Sequence, residues 1–249
     1  MTIIKSTNEV EIMRRAGQIV ALILNKLVSE VKPGIKTRQL NSIAEDELRK
    51  SGAKASFKNY RGYPASLCVS INEEIVHGIP GERVLQEGEI VSLDFGAFIQ
   101  GFHGDSAVTV GVGNISKDAT DLLSTTETAL MKGIEAAKCG ARLGDISSAV
   151  QQYAESKGYA VIREYCGHGI GRNLHEDPQV PNYGISGSGP ILKEGMTIAI
   201  EPMVTNGDWH TVVDKRDKWT VRTIDGSLAA HFEHTIAISN DGPCILTMV

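Results

Sequence analysis

The chain has 249 residues, 41% hydrophobic and 22% charged, and a net charge of −5. That length allows one large domain or two small ones, and the composition is ordinary for a globular enzyme. The negative balance leaves no electrostatic footprint for nucleic acid, and no apolar run approaches the roughly 20 residues of a membrane span. Residues 1–30 lack the order of basic, apolar and small-residue regions that marks a signal peptide. Cys68, Cys139, Cys166 and Cys244 form no CxxC, which predicts free thiols in a reducing cytoplasm.

Ser6 to Glu9 fits a capping box, and Ile12, Met13, Ala16, Ile19, Val20, Ile23 and Leu27 follow as one apolar helical stripe. Pro33-Gly34 ends that helix. Thr37 is expected to cap a second, with Leu40, Ile43, Ala44 and Leu48 inward and Gly52 at its close. An aromatic stretch, Ser56 to Pro64, precedes a strand from Leu67 to Ile71. Its rings could line an apolar pocket or cover a sheet edge. Val76-His77-Gly78 comes next; a lone His beside Gly is ordinarily a loop residue and by itself identifies no function.

Gly88 to Val110 reads as a hairpin turning near Gln100-Gly101. Its two carboxylates, Asp94 and Asp105, then fall about two residues from direct register. Diagonal neighbours across a strand pair lie roughly 7–8 Å apart at Cα, so their side chains can converge. Two acids converging among apolar strand residues need a cation, a shared proton or water.

The phrase recurs. Leu85, Gly88 and Asp94 map onto Leu192, Gly195 and Glu201 at one constant offset, and Asp105 aligns with Glu233 within His103–Val110 and His231–Ile238. The helices repeat as well: Lys32, Gly34, Ser42 and Gly52 map onto Lys138, Gly140, Ser148 and Gly158, preceded by a helix over 119–137. These repeats predict one catalytic unit over residues 1–249 with homologous halves of roughly 1–115 and 116–249, each two helices followed by antiparallel strands. The fold class is α/β (α+β), with both acid pairs at one cleft on a pseudo-two-fold. Between the second-half helices and Glu201 lie His168, set among Gly167, Gly169 and Gly171, and a nearly continuous apolar strand, Met196 to Ile200. A Glu ending a buried strand needs a ligand or partner. His231 and His234 flank Glu233, and if strand alternation holds both face away from it or to one side, at supporting or surface positions.

Asp94, Asp105, His168, Glu201 and Glu233 therefore form the candidate set. Four carboxylates in one cleft repel by several kcal/mol unless compensated. Two divalent ions compensate, and a carboxylate-rich set with one His suits Mn²⁺, Fe²⁺ or Co²⁺ better than a thiolate Zn site. Ions about 3.5–4 Å apart can activate water and polarise a carbonyl.

LCVSINEEIVHGIP, SLDFGAF, GFHGDSA, YCGHGIGRNLHEDPQVPNYG, IAIEPM and HFEHTIAI, in this order, resemble the type I methionine aminopeptidases over essentially the whole chain. The resemblance implies the pita-bread fold and a hydrolase that removes the initiator methionine from nascent chains, preferring a small second residue. It also implies that Asp105 and Glu233 bridge two metal ions, Asp94 completes one, and His168 with Glu201 completes the other. Glu201 would take the proton of the attacking water, His175 would bond the substrate carbonyl region, and His77 would contact the scissile amide nitrogen. Phe57, Tyr60, Tyr63, Cys68, Leu174 and Trp219 match the family's methionine-side-chain pocket, with Leu174 standing where an aromatic is frequent.

The spacings from His168 to Glu201 and on to Glu233 leave no room for the helical insertion of type II enzymes, and the chain matches the short bacterial form without N-terminal extension. The expected partners are nascent N-termini near the ribosome, with no DNA and no membrane, and the expected state is a cytoplasmic monomer. Two other readings stay open: an X-Pro peptidase of the same fold, and a non-catalytic scaffold for RNA or ribosomes. Loss of ligand-type residues would mark the scaffold; all five are present.

Overall fold

Four α-helices and fifteen strands make up residues 2–249, which the computed structural model describes. Helix α1 (Thr7–Glu30) starts from a true capping box: Glu9 N–H donates to Ser6 Oγ at 3.4 Å, and Ser6 N–H donates to Glu9 Oε2 at 2.8 Å. Its stripe buries Met13, Ala16, Val20, Ile23, Leu24 and Leu27. In α2 (Thr37–Ser51) the cap expected of Thr37 is displaced. Lys36 is the cap position, and the Thr37 hydroxyl instead bonds the backbone of Gly81, accepting from N–H at 2.8 Å. The second pair is α3 (Lys117–Ala136), capped by Ser116 Oγ accepting from Ala119 N–H, and α4 (Leu143–Ser156).

The strands of the first half are β1 (Lys54–Ala55), β2 (Leu67–Ile71), β3 (Glu74–Val76), β4 (Ile90–Ile99) and β5 (Phe102–Gly111). Those that follow α4 are β6 (Ala160–Val161), β7 (Cys166–Gly169), β8 (Glu176–Pro181), β9 (Thr197–Ile200) and β10 (Met203–Thr205). The last are β11 (Thr211–Val213), β12 (Val221–Thr223), β13 (Ala229–His231), β14 (Glu233–Ser239) and β15 (Gly242–Ile245). One nine-stranded sheet runs β1-β4-β5-β14-β9-β7-β8, with β2 also on β4 and β15 also on β14. Every pairing in it is antiparallel. Two three-stranded sheets, β13-β10-β6 and β11-β12-β3, complete the β-structure. This is the curled sheet with paired helices expected of the pita-bread fold.

The halves keep separate apolar clusters. Leu24, Leu27, Leu40 and Leu48 pack with Leu67, Leu93 and Phe95 in the first half. Leu122, Leu130, Ile146 and Val150 pack with Ile198, Ile200 and Ile236 in the second. The sheet crosses between them at β5–β14, where Glu233 pairs with Ala107 and His234 with Ser106. Helix α1 lies directly on β5, where Gly17 and Gly104 meet. A Cβ on Gly104 would stand 2.8 Å from the Gly17 nitrogen, closer than any side chain is tolerated, so only glycine permits this approach. The close seat fixes the strand one residue before Asp105.

Candidate active site

The β4–β5 hairpin turns at Gln100 (φ 50°) and Gly101 (φ 89°) and pairs Asp94 with Ala107 and Gly96 with Asp105. The two acids are therefore offset by two residues, as the sequence indicates. Hydroxyls then sew this hairpin to the other half. The Thr235 hydroxyl donates to Asp105 O at 2.7 Å and accepts from Asp105 N–H at 3.1 Å. Ser106 Oγ donates to Glu233 O at 2.5 Å. These bonds satisfy the backbone polar groups and leave the Asp105 and Glu233 carboxylates aimed at one place. Glu201 arrives at the end of β9, and its carbonyl accepts from Asn182 Nδ2 at 3.0 Å.

The result is a cavity of about 140 Å³ with Asp94, Asp105, His168, Glu201 and Glu233 around its floor. Ligand atoms of Asp105, His168 and Glu233 all lie within 4.8 Å of one another. His168 Nε2 is 3.6 Å from Glu201 Oε1. Asp94 Oδ1, Asp105 Oδ1 and Glu233 Oε1 are buried without a hydrogen-bond partner. Like charges about 4 Å apart repel by ~4 kcal/mol even at an effective dielectric of 20.

The titrations carry that strain. Burial, then repulsion from Asp105, pushes Asp94 well above its ordinary value, and burial raises Asp105 to about 7. Glu201 and Glu233 are raised by burial first and by the neighbouring carboxylates second. Burial also lowers His168 to about 4, so its imidazole is neutral. His168 Nδ1 lies 2.9 Å from the Gly169 carbonyl, which can only accept, so the proton sits on Nδ1 and the Nε2 lone pair is free. Oxygen-rich donors, one free imidazole nitrogen and unpaired buried carboxylate oxygens fit divalent cations.

The remainder of the cavity is an apolar wall with His77, His175 and Arg61 beside it. Phe57, Tyr60, Tyr63, Cys68, Leu174 and Trp219 form its wall, with Tyr63 and Trp219 edge to face at 5.2 Å between centroids. The Tyr63 hydroxyl donates toward Gly78 O at 2.8 Å, anchoring the ring under the His77 turn. His77 has φ 62°, an uncommon left-handed conformation for a non-glycine residue, of the kind that collects at functional sites. His175 Nδ1 lies 2.9 Å from the Tyr60 hydroxyl, the two rings stack, and the His168 ring is 4.1 Å away. Burial lowers His77 to about 4; His175 stands on the exposed rim, and partial desolvation and the nearby His168 push it down. The His175 loop is pinned from the next residue: Glu176 Oε2 accepts from Lys5 Nζ at 2.5 Å, with both side chains 2% exposed.

All thirteen residues singled out in the sequence line this one cavity, and sequence reasoning missed one lining residue, Arg61. Its guanidinium stands 5.4 Å over the Tyr60 ring; position next to Tyr60 was the available signal. His231 and His234, expected at supporting or surface positions, are not at the surface: His231 is 1% exposed and His234 half-buried.

The profile of metallopeptidase family M24 matches residues 11–240. The chain belongs to metallopeptidase family M24. Methionine aminopeptidase 1 of Bacillus subtilis is 55% identical over 249 residues, covering 100% of both chains. The crystal structure of a methionine aminopeptidase from Thermotoga maritima superposes with a TM-score of 0.98 at 48% identity, again over 100% of both chains. The prolidase of Pyrococcus furiosus, at 24% identity and a TM-score of 0.80, covers 100% of this chain and 66% of its own, and shares the fold alone. Within M24 the chain has the short type I form, since β7, β9 and β14 bring His168, Glu201 and Glu233 together with no described helix between α4 and the last strand. M24 membership implies a divalent metal cofactor, and the buried Asp105, His168 and Glu233 cluster is compatible with one.

Proposed function

We propose that the chain removes the initiator methionine from nascent proteins by metal-dependent hydrolysis, working as one catalytic unit over residues 1–249. The observation that carries this reading is the junction of a floor of unpaired buried acids with an apolar aromatic wall in one cavity. Relatives at 46–55% identity that bear the methionine aminopeptidase name support it.

Asp94, Asp105, His168, Glu201 and Glu233 would hold two divalent ions, of the manganese, iron or cobalt kind. When bound, such ions supply water activation and carbonyl polarisation. The wall takes the methionine side chain, and crowding near the floor favours a small second residue. Glu201 accepts the proton of the attacking water, a role that fits a carboxylate with a raised pKa beside a neutral imidazole. His175, neutral and held by Tyr60, is placed to bond the substrate carbonyl region as its carbon becomes tetrahedral. His77, edge to face with Trp219 at 6.3 Å between centroids, contacts the scissile amide nitrogen. Water adds across the amide, and free methionine leaves with the shortened chain.

Four free cysteines agree with work in the cytoplasm. The enzyme would act as a monomer on chains emerging near ribosomes. No described helix is long and apolar enough to cross a membrane. The X-Pro reading draws only on shared fold. Metal-stripped protein reloaded anaerobically with Mn²⁺, Fe²⁺ or Co²⁺ should release methionine from Met-Ala-Ser and leave an Ala-Pro peptide intact. Cleavage of the Ala-Pro peptide alone would move the assignment to an X-Pro peptidase. Inactivity despite stoichiometric metal would favour a binding scaffold.

A further inference from the structure

Glu201 stands at a corner. β9 ends at Ile200 in the large sheet, Glu201 and Pro202 follow, and β10 begins at Met203 in a small one. The facing chain makes the same change: His231 closes β13 in the small sheet, Phe232 intervenes, and Glu233 opens β14 in the large one. Registers on both sides, Met203 opposite His231 and Ile200 opposite His234, fix this double corner. The His231 backbone is clamped by a single hydroxyl. Its N–H donates to Thr109 Oγ1 at 2.9 Å, and its carbonyl accepts from the same oxygen at 2.7 Å.

This framework brings His231 Nε2 to 3.6 Å from Glu201 Oε2. The imidazole is 1% exposed, and neither ring nitrogen has a hydrogen-bond partner. A buried donor left unpaired is costly, so a fully enclosed imidazole aimed at a carboxylate calls for a reason. Glu201 is bracketed by two imidazoles, His168 beside Oε1 and His231 beside Oε2. The two differ in what holds them. His168 commits its Nδ1 proton to Gly169 O, whereas His231 keeps its proton available.

We propose that His231 is a positioning residue that donates an Nε2–H hydrogen bond to Glu201 Oε2, fixing the plane of that carboxylate and leaving Oε1 turned toward His168. A movement of about 0.7 Å brings the pair to ordinary hydrogen-bond distance. Groups that orient ligand carboxylates in this way commonly govern activity by about 10–100-fold. The inference rests on Glu201 acting as the base.

Two variants separate a donor from a filler. His231→Gln keeps an N–H near the Nε2 position, and His231→Leu fills the space with no polar atom. With bound metal per chain verified, His231→Leu should lose about 10–100-fold in kcat with KM within about twofold. His231→Gln should stay within about threefold of wild type. In the metal-free protein, ¹⁵N NMR of labelled histidines should show His231 as the Nε2–H tautomer, with a downfield ring proton absent from His231→Gln. Equal kcat in the two variants, or an Nδ1–H tautomer, overturns the proposal. A Glu201→Gln enzyme with undiminished kcat would instead overturn the role of Glu201 itself.

Discussion

The acids that floor the cavity sit on or beside strands of the large sheet, whereas the rings that wall it, Phe57, Tyr60, Tyr63 and Trp219, ride on turns and connecting segments. The floor is rigid and dissatisfied: its backbone is clamped by Thr235 and Ser106, while three of its carboxylate oxygens lack partners. The wall is satisfied: Tyr63 reaches Gly78 O, Tyr60 reaches His175, and Trp219 packs on Tyr63. The difference teaches where stability is given up. A bound cation would relieve the repulsion at the floor, and the wall, whose polar groups are paired, carries no such repulsion.

Removing the proposed base while keeping an oxygen in its place should have the largest effect. Glu201→Gln is expected to lower kcat by about 10²–10⁴-fold at unchanged metal content. Turnover like wild type, with metal verified, would deny Glu201 its role.

Neutralising a floor acid should separate stability from function. Asp105 titrates near 7 in the folded metal-free protein and near 4 when unfolded, so the native state holds a proton that the unfolded chain has released. This contribution to stability is fully present below about pH 4 and is lost as pH rises through about 7. Metal-free Asp105→Asn should therefore exceed metal-free wild type by on the order of 3 kcal/mol at pH 8, and by less at pH 5. Denaturant midpoints at the two pH values read this directly, and saturating Mn²⁺ should reverse the order.

The wall should respond in KM. Trp219→Ala is expected to lower kcat/KM for Met-Ala-Ser by about 10–200-fold, mainly through KM, with metal binding intact. An equal loss of metal would join wall and floor into one structural unit. The smallest change is Tyr60→Phe, which removes only the hydroxyl bonded to His175 and should cost about 2–10-fold in kcat.

The floor was legible in the sequence because hairpin register and internal repetition are local and periodic signals. Asp94 and Asp105 could be placed from one turn, and Glu201 and Glu233 from the echo of the first half in the second. The wall carried no such signal. Asn59 (φ 68°) and Arg61 (φ 50°) bend the chain in ways no apolar period encodes, and Trp219 reaches Tyr63 from a distant loop. Family resemblance alone picked out those rings, and it passed over Arg61. Alternation left His231 between a supporting and a surface position; the change of sheets at Phe232 buries it beside Glu201, the supporting alternative.

Titration of Mn²⁺ into the metal-stripped protein by calorimetry, in buffers of different ionisation enthalpy, tests the central claim most directly. The raised carboxyls of the floor predict that binding displaces protons, that the number released falls as pH rises from about 6 to about 8, and that affinity climbs over the same range. Binding of wild-type strength in Asp105→Asn, or binding that releases no protons at about pH 6, would contradict the assignment of these buried acids as the metal site.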